Sequence, residues 1–228
     1  MPSKNSIKDY RKNSYYHIYN RGVNKGSIFL DKQDYSVFLF YLKEYLTERD
    51  EENLHLRLVD HNLSYRERER INKLLALNNF SDEISLLSYC LMPNHFHFLL
   101  KQGSSESIAL FMNSFATRYT MYFNRKYKRI GPLYQGVYKA VLVNSDEQLL
   151  YLSLYIHRQA LASQGVTSGD WKIKQPCSFL EYLGKRKTKW IKTNDILAYF
   201  PGKDLYGSYK KFVMGEPNLE LISKIMID

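Results

Sequence analysis

His95 and His97 flank Phe96 in the stretch Met92-Pro93-Asn94-His95-Phe96-His97-Phe98-Leu99-Leu100. On a strand, residues i and i+2 share a face, so both imidazoles project together while Phe96 points to the other side. Two neutral imidazoles on one face suit a divalent metal. The same pattern also fits two ordinary histidines on a solvated face, or one packed and one exposed. A nucleotide-hydrolase motif with three alternating histidines would need a third at position 99, where Leu99 stands. Two imidazoles are too few for a hard ion acting on phosphate, so an oxygen ligand must come from elsewhere, as must a nucleophile unless it is water.

The segment Leu149 to Gln159 offers both. Tyr155 and Gln159 are one helical turn apart on one face, so a phenol and an amide oxygen can address one phosphate together. Leu149, Leu152 and Ile156 form an apolar stripe able to pin this helix to a sheet. Tyr151, one turn earlier, is the rival nucleophile. A third feature is the run from Arg118 to Lys139, with six Lys or Arg, five tyrosines and no acid. Arg118, Arg125, Lys126, Lys128, Arg129 and Lys139 read as phosphate contacts, with some of the tyrosines stacked on bases. Tyr119 and Tyr122 read equally well as core residues of a helix. A second basic run, 185–192, adds Lys187 and Lys189, as a nucleic-acid contact or as a solvated loop.

The elements that must position these groups follow from periodicity and punctuation. Tyr15 to Asn20 reads as a strand ended by Arg21-Gly22. Asp31 caps a helix over 32–46, with Tyr35, Phe38, Leu39 and Leu42 on one face. Residues 47–82, charged in both signs, read as a partly helical, solvated insertion. Residues 84–100 form a hairpin that turns at Pro93-Asn94. A long helix spans about 107–126, and Gly131-Pro132 breaks the chain. A strand follows over 137–143, then a helix from Asp146 to about Gln164, with a short helix at 194–199. The order strand, helix, strand pair, helix, strand, helix predicts an α+β fold with helices packed on an antiparallel sheet. The expected division is a catalytic core over 10–165, including the insertion, and a basic C-terminal extension over 166–228.

Composition sets the outer bounds. The chain has 228 residues, 44% of them hydrophobic, which predicts a globular protein. No apolar run approaches the ~18 residues of a membrane span, and 1–14 lacks a hydrophobic signal core. The expected location is therefore the cytoplasm, at the nucleoid. Cys90 and Cys177 have no metal-ligand spacing and read as free thiols. A net charge of +10 with 20 tyrosines favours a polyanionic partner with exposed bases.

Four stretches, taken in order, resemble the single-tyrosine insertion-sequence transposases with a His-hydrophobe-His motif, and among them the REP-associated tyrosine transposases. Tyr16-His17-Ile18-Tyr19-Asn20-Arg21-Gly22 looks like that family's opening strand, and 92–100 like its histidine strand. Gly131 to Lys139 looks like its basic segment, and Leu154-Tyr155-Ile156-His157-Arg158 like its catalytic-helix signature. The resemblance covers roughly 14–184. It implies a ferredoxin-like or RRM-like core, with Tyr155 as nucleophile and His95, His97 and Gln159 as ligands of Mg²⁺ or Mn²⁺. It implies cleavage and rejoining of hairpin-bearing single-stranded DNA through a 5′-phosphotyrosine bond, by enzymes that include monomers and homodimers. This chain has Gln159-Ala160 where close relatives carry Asn-Pro, which keeps the amide and removes the helix break. Two rivals keep the histidines: a non-catalytic single-strand nucleic-acid-binding protein, and a metal phosphoesterase that uses water.

Overall fold

Alternating side-chain direction organises the whole molecule, because the central strands bury both of their faces. The computed structural model describes residues 8–161, 172–200, 202 and 204–215. Strands β1 (Tyr15–Arg21), β2 (Ile84–Met92), β3 (His95–Gln102) and β4 (Lys139–Leu142) form one sheet in the order β2-β3-β1-β4. Every neighbouring pair is antiparallel. The expected α+β architecture is therefore observed, with the ferredoxin-like strand order.

One face carries Ile18, Phe96, Phe98 and Leu100, and helices α1 (Lys32–Leu46) and α4 (Ser107–Tyr127) cover it. Phe38 sits at the centre, with its ring 5.6 Å from Phe96, 4.7 Å from Phe115 and 4.8 Å from Tyr119. Asp31 caps α1 in a reciprocal box with Asp34. Residues 47–82 contain α2 (Glu51–Val59), which buries no residue, and α3 (Tyr65–Leu75), which buries only Ile71.

The opposite face carries Cys90, His97 and Leu99, and α5 (Asp146–Gln159) lies on it. Leu149, Leu152 and Ile156 are buried there as their spacing predicts. Three shorter helices, α6 (Phe179–Tyr182), α7 (Asn194–Leu197) and α8 (Leu205–Met214), complete this second core around Phe179, Tyr182, Tyr209 and Val213. Among the described residues no helix is long and apolar enough to cross a membrane.

Three boundaries differ from the periodicity. The α5 helix stops at Gln159 rather than near 164 because the chain turns to pair: Lys174 N–H donates to the Ala160 carbonyl and Leu161 bridges Ile173. Residues 162–164 of the expected helix lie outside the described residues. The last strand begins at Lys139, since Val137 is 70% exposed and the Gly136 carbonyl accepts a bond from Asn20 Nδ2. The short C-terminal helix ends at Leu197 rather than 199.

Lys126 and the α1 cap form a buried charge network. The Asp34 carboxylate, fully buried, accepts from Lys126 Nζ at 2.8 Å, Tyr127 Oη at 2.8 Å, Tyr122 Oη at 3.0 Å and the Leu30 N–H at 2.8 Å. Burial alone would raise its pKa, but the bonds from Lys126, Leu30 N–H and the tyrosines outweigh it and hold the carboxyl below its ordinary value. A depressed carboxylate stabilises the fold above its unfolded pKa of about 3.9 and loses that contribution as pH falls through the folded value. Asp34→Asn should therefore cost about 3 kcal/mol at pH 7 and flatten the acid limb of stability below about pH 4. Urea unfolding between pH 7 and 3 reads both effects; equal midpoints at pH 7 would mean the carboxylate carries no net stabilisation.

Candidate active site

Cross-strand register builds the site. Arg21 lies opposite His95 and Tyr19 opposite His97 on the β1–β3 pair, while Lys139 lies opposite Tyr19 on the β1–β4 pair. Directly opposed residues share a face, so His17, Tyr19, Arg21, His95, His97 and Lys139 all face the side that α5 covers. The α5 helix brings Tyr155 onto this group: its ring centroid is 5.5 Å from His97 and 6.3 Å from His17, edge-on to both. Gln159 follows one turn later as the last residue of the helix, half-buried. Tyr151 packs instead against Phe212 of α8, with centroids 5.4 Å apart. The rival tyrosine is thus directed at the C-terminal helices and not at the histidines.

The imidazoles are held neutral and aimed. His97 is fully buried, and burial first, then the neighbouring charges of His17, His95 and Arg21, push its pKa well down. Burial and Arg21 push His95 down to about 4. His95 Nδ1 donates to Asn94 Oδ1 at 2.6 Å, which leaves its Nε2 as the lone-pair nitrogen. His97 Nδ1 meets His17 Nε2 at 2.9 Å, whereas His97 Nε2 is buried without a hydrogen-bond partner. An orphaned buried imidazole nitrogen is costly unless something else engages it. With the other ring nitrogen fixed by a neighbour, this is how metal-binding histidines are usually oriented. His17 is the residue that sequence reasoning missed. Its only signal was its place two residues before Tyr19 on the opening strand, on the face that a pairing partner would share with His97.

Among the described residues, no group of three or more His, Cys, Asp or Glu side chains is arranged to hold a metal ion. His95 and His97 present two imidazoles on the face that α5 covers, and Gln159, which carries an amide, ends that helix.

The predicted cationic contacts divide. Arg118 is bound to Glu44 at 2.6 Å and stacked 3.8 Å over Tyr41, and Lys126 is held by Asp31 and Asp34. Both belong to the α1–α4 face, away from the histidines. Arg125 and Lys128 are exposed at the end of α4, and Arg129 lies half-buried beside Phe123. Lys139 stands on the histidine face. Lys187 and Lys189 are exposed along a groove of about 300 Å³ shared with Arg186, Lys192 and Tyr206. The five tyrosines of 118–139 are engaged within the fold. Tyr119, Tyr134 and Tyr138 are buried, and Tyr122 and Tyr127 bond Asp34.

The loop after α4 meets the site at its edge. Gly22 N–H donates to Asn94 O, Val23 N–H to Leu133 O and Gln135 N–H to Arg21 O. A Cβ on Gly22 would stand 2.1 Å from the Gly26 carbonyl oxygen, so only glycine lets these segments close up.

Two residues beyond Tyr155, His157 is a structural clamp. It is fully buried, bonding Tyr209 Oη at 2.7 Å and Ser178 Oγ at 2.8 Å, and burial pushes its pKa down to about 3. Arg158 Nε donates to the Val213 carbonyl at 2.6 Å. A histidine kept neutral by burial contributes fully above its unfolded pKa of about 6.5, and that contribution is lost progressively as pH falls toward the folded value. His157→Gln should therefore reduce the fall in stability between pH 6.5 and 4 by about 1.4 kcal/mol per pH unit. Denaturation midpoints across that range check it, and an unchanged slope would mean that His157 is not the titrating group.

Residues 60–159 match the family model described as transposase IS200 like. No curated protein matches the chain. A solved structure described as a REP-associated tyrosine transposase bound to a REP hairpin is 9% identical, with a TM-score of 0.47, over 82% of this chain and 96% of that one. A likeness at that level carries no residue role across. The family match spans β2, β3, α4, β4 and α5, and so includes both histidines, Tyr155 and Gln159. Over that span the chain is similar to the IS200-like transposases.

Proposed function

We propose that this protein cuts and rejoins single-stranded DNA through Tyr155, with His95, His97 and Gln159 holding a divalent cation and a DNA hairpin as the recognised feature. The observation that carries this reading is the packing of Tyr155 against His97 within one chain, beside an imidazole nitrogen that has no hydrogen-bond partner among the described residues. Bound there, Mg²⁺ or Mn²⁺ supplies Lewis-acid polarisation of a non-bridging phosphate oxygen. The Tyr155 oxygen attacks phosphorus in line, forming a P–O bond to the 5′ side while the bond to the 3′-oxygen breaks. The phenol loses its proton and the leaving 3′-oxygen gains one. A free 3′-hydroxyl attacking the phosphotyrosine reverses the step, so rejoining needs no nucleotide cofactor. His17 supports the site by bonding His97 Nδ1, so that Nε2 points its lone pair into the site. Arg125, Lys128, Arg129 and Lys139 meet the strand on one side of the core, and Lys187 and Lys189 meet flanking DNA. Arg118 and Lys126, already paired with acids, support the fold.

Labelled hairpin DNA from around the gene, incubated with Mn²⁺ and run on a denaturing gel, tests the reading. Wild type and Tyr151→Phe should give a slow-migrating, protease-sensitive adduct. Tyr155→Phe and His97→Ala should give none, a loss of at least about 10³-fold for a missing nucleophile. Cleavage that survives Tyr155→Phe and leaves no adduct would instead assign a water-using phosphoesterase. Tight binding without any cleavage would assign a binding protein.

A further inference from the structure

Among the described residues, the strand positions that share a face with the histidines include cations and no acid. Around His95 and His97 that face presents His17, Tyr19, Arg21, Cys90, Met92 and Lys139. Asp195 of α7 bonds the opposite end of that face, at Tyr15 Oη (2.9 Å) and Lys101 Nζ (3.3 Å). Arg21 stands directly across from His95, makes no ion pair among the described residues, and has a buried Nε without a hydrogen-bond partner. A buried, unpaired guanidinium nitrogen is a costly group to keep for structure alone. Beside a phosphoryl-transfer site it is a fork waiting for phosphate oxygens.

We propose that Arg21 binds the phosphate addressed by Tyr155, and that through it the cation and the DNA bind to this site together rather than separately. The inference rests on the reading of the site given above. Two imidazoles and an amide give the cation no negative ligand, and Arg21 repels it. One phosphate corrects both deficits: its oxygens neutralise Arg21 and ligate the cation. Free protein therefore holds the cation weakly, and each ligand raises affinity for the other by the same factor.

The test uses the full chain carrying Tyr155→Phe, which binds DNA without cutting it. Hairpin affinity is measured in EDTA over a range of salt. Mn²⁺ binding is followed by electron paramagnetic resonance for free and DNA-saturated protein, with His97→Ala giving the background. Arg21→Gln should weaken DNA binding in EDTA about tenfold or more and lower the log–log salt slope by about one. The same change should tighten Mn²⁺ binding to free protein while shrinking the gain that DNA confers. That opposite pair of effects does not follow from a structural role. Arg21→Lys keeps the charge and loses the fork. It should keep the weak Mn²⁺ binding of the free protein and recover part of the DNA affinity, and it stands in if the glutamine variant does not fold. Unchanged DNA affinity and salt slope in both variants would overturn the proposal. If wild type and His97→Ala bind Mn²⁺ alike, the histidine reading fails, and the EDTA measurement still decides whether Arg21 holds phosphate.

Discussion

Everything in this molecule depends on a sheet that is buried on both sides. Strand β3 sends Phe96, Phe98 and Leu100 into one core and His95, His97 and Leu99 toward another. A strand with one solvated face would leave both histidines in water, with ordinary basicity and free rotation. Here the covering helix removes water from His97, keeps it neutral, and brings a tyrosine ring against it. One packing event thus supplies both burial of the histidines and placement of the tyrosine.

The second core has to be polar in places, and the fold satisfies those places one by one. His157, Ser153, Ser178, Tyr182 and Tyr209 bond one another or β2 across the interface between α5 and the C-terminal helices. Such a fully satisfied network specifies one arrangement more sharply than an apolar interface of the same area. His97 Nε2 and Arg21 Nε stand outside this pattern, on the same sheet face and one strand apart. On this face the two unsatisfied groups mark the position of the candidate site.

Much of this was legible in the residues. Alternation at 95–100 predicted opposite fates for Phe96 and His97, and i, i+4 spacing put Tyr155 and Gln159 on one face of a helix whose apolar stripe is buried as expected. The capped helix at 32–46 has the predicted limits. What could not be read was pairing. Which strand lies beside β3 decides whether His17 and Arg21 belong to the site, and local pattern does not encode a contact 80 residues away. Charge counting misled in a related way. Arg118 and Lys126 sit in a run without acids, but their partners Glu44, Asp31 and Asp34 come from α1 and its cap. A tyrosine-rich composition likewise served aromatic packing and buried hydrogen bonds more than base stacking.

The two cores differ in when their pieces leave the ribosome. Apart from Trp190 and Ile191, the core beneath α1 and α4 is built from residues up to Leu142. The core beneath α5 needs Cys177, Phe179, Tyr182, Ile196, Tyr209 and Val213. Chain order therefore makes the residues of the first core available before those that complete the second. Until residue 213 emerges, the tyrosine helix lacks the partners of His157 and Arg158 that fasten it. The chain is in this sense one whose framework is complete before its histidine face, so a partly made copy holds the histidine strand without the contacts that fasten the tyrosine helix beside it.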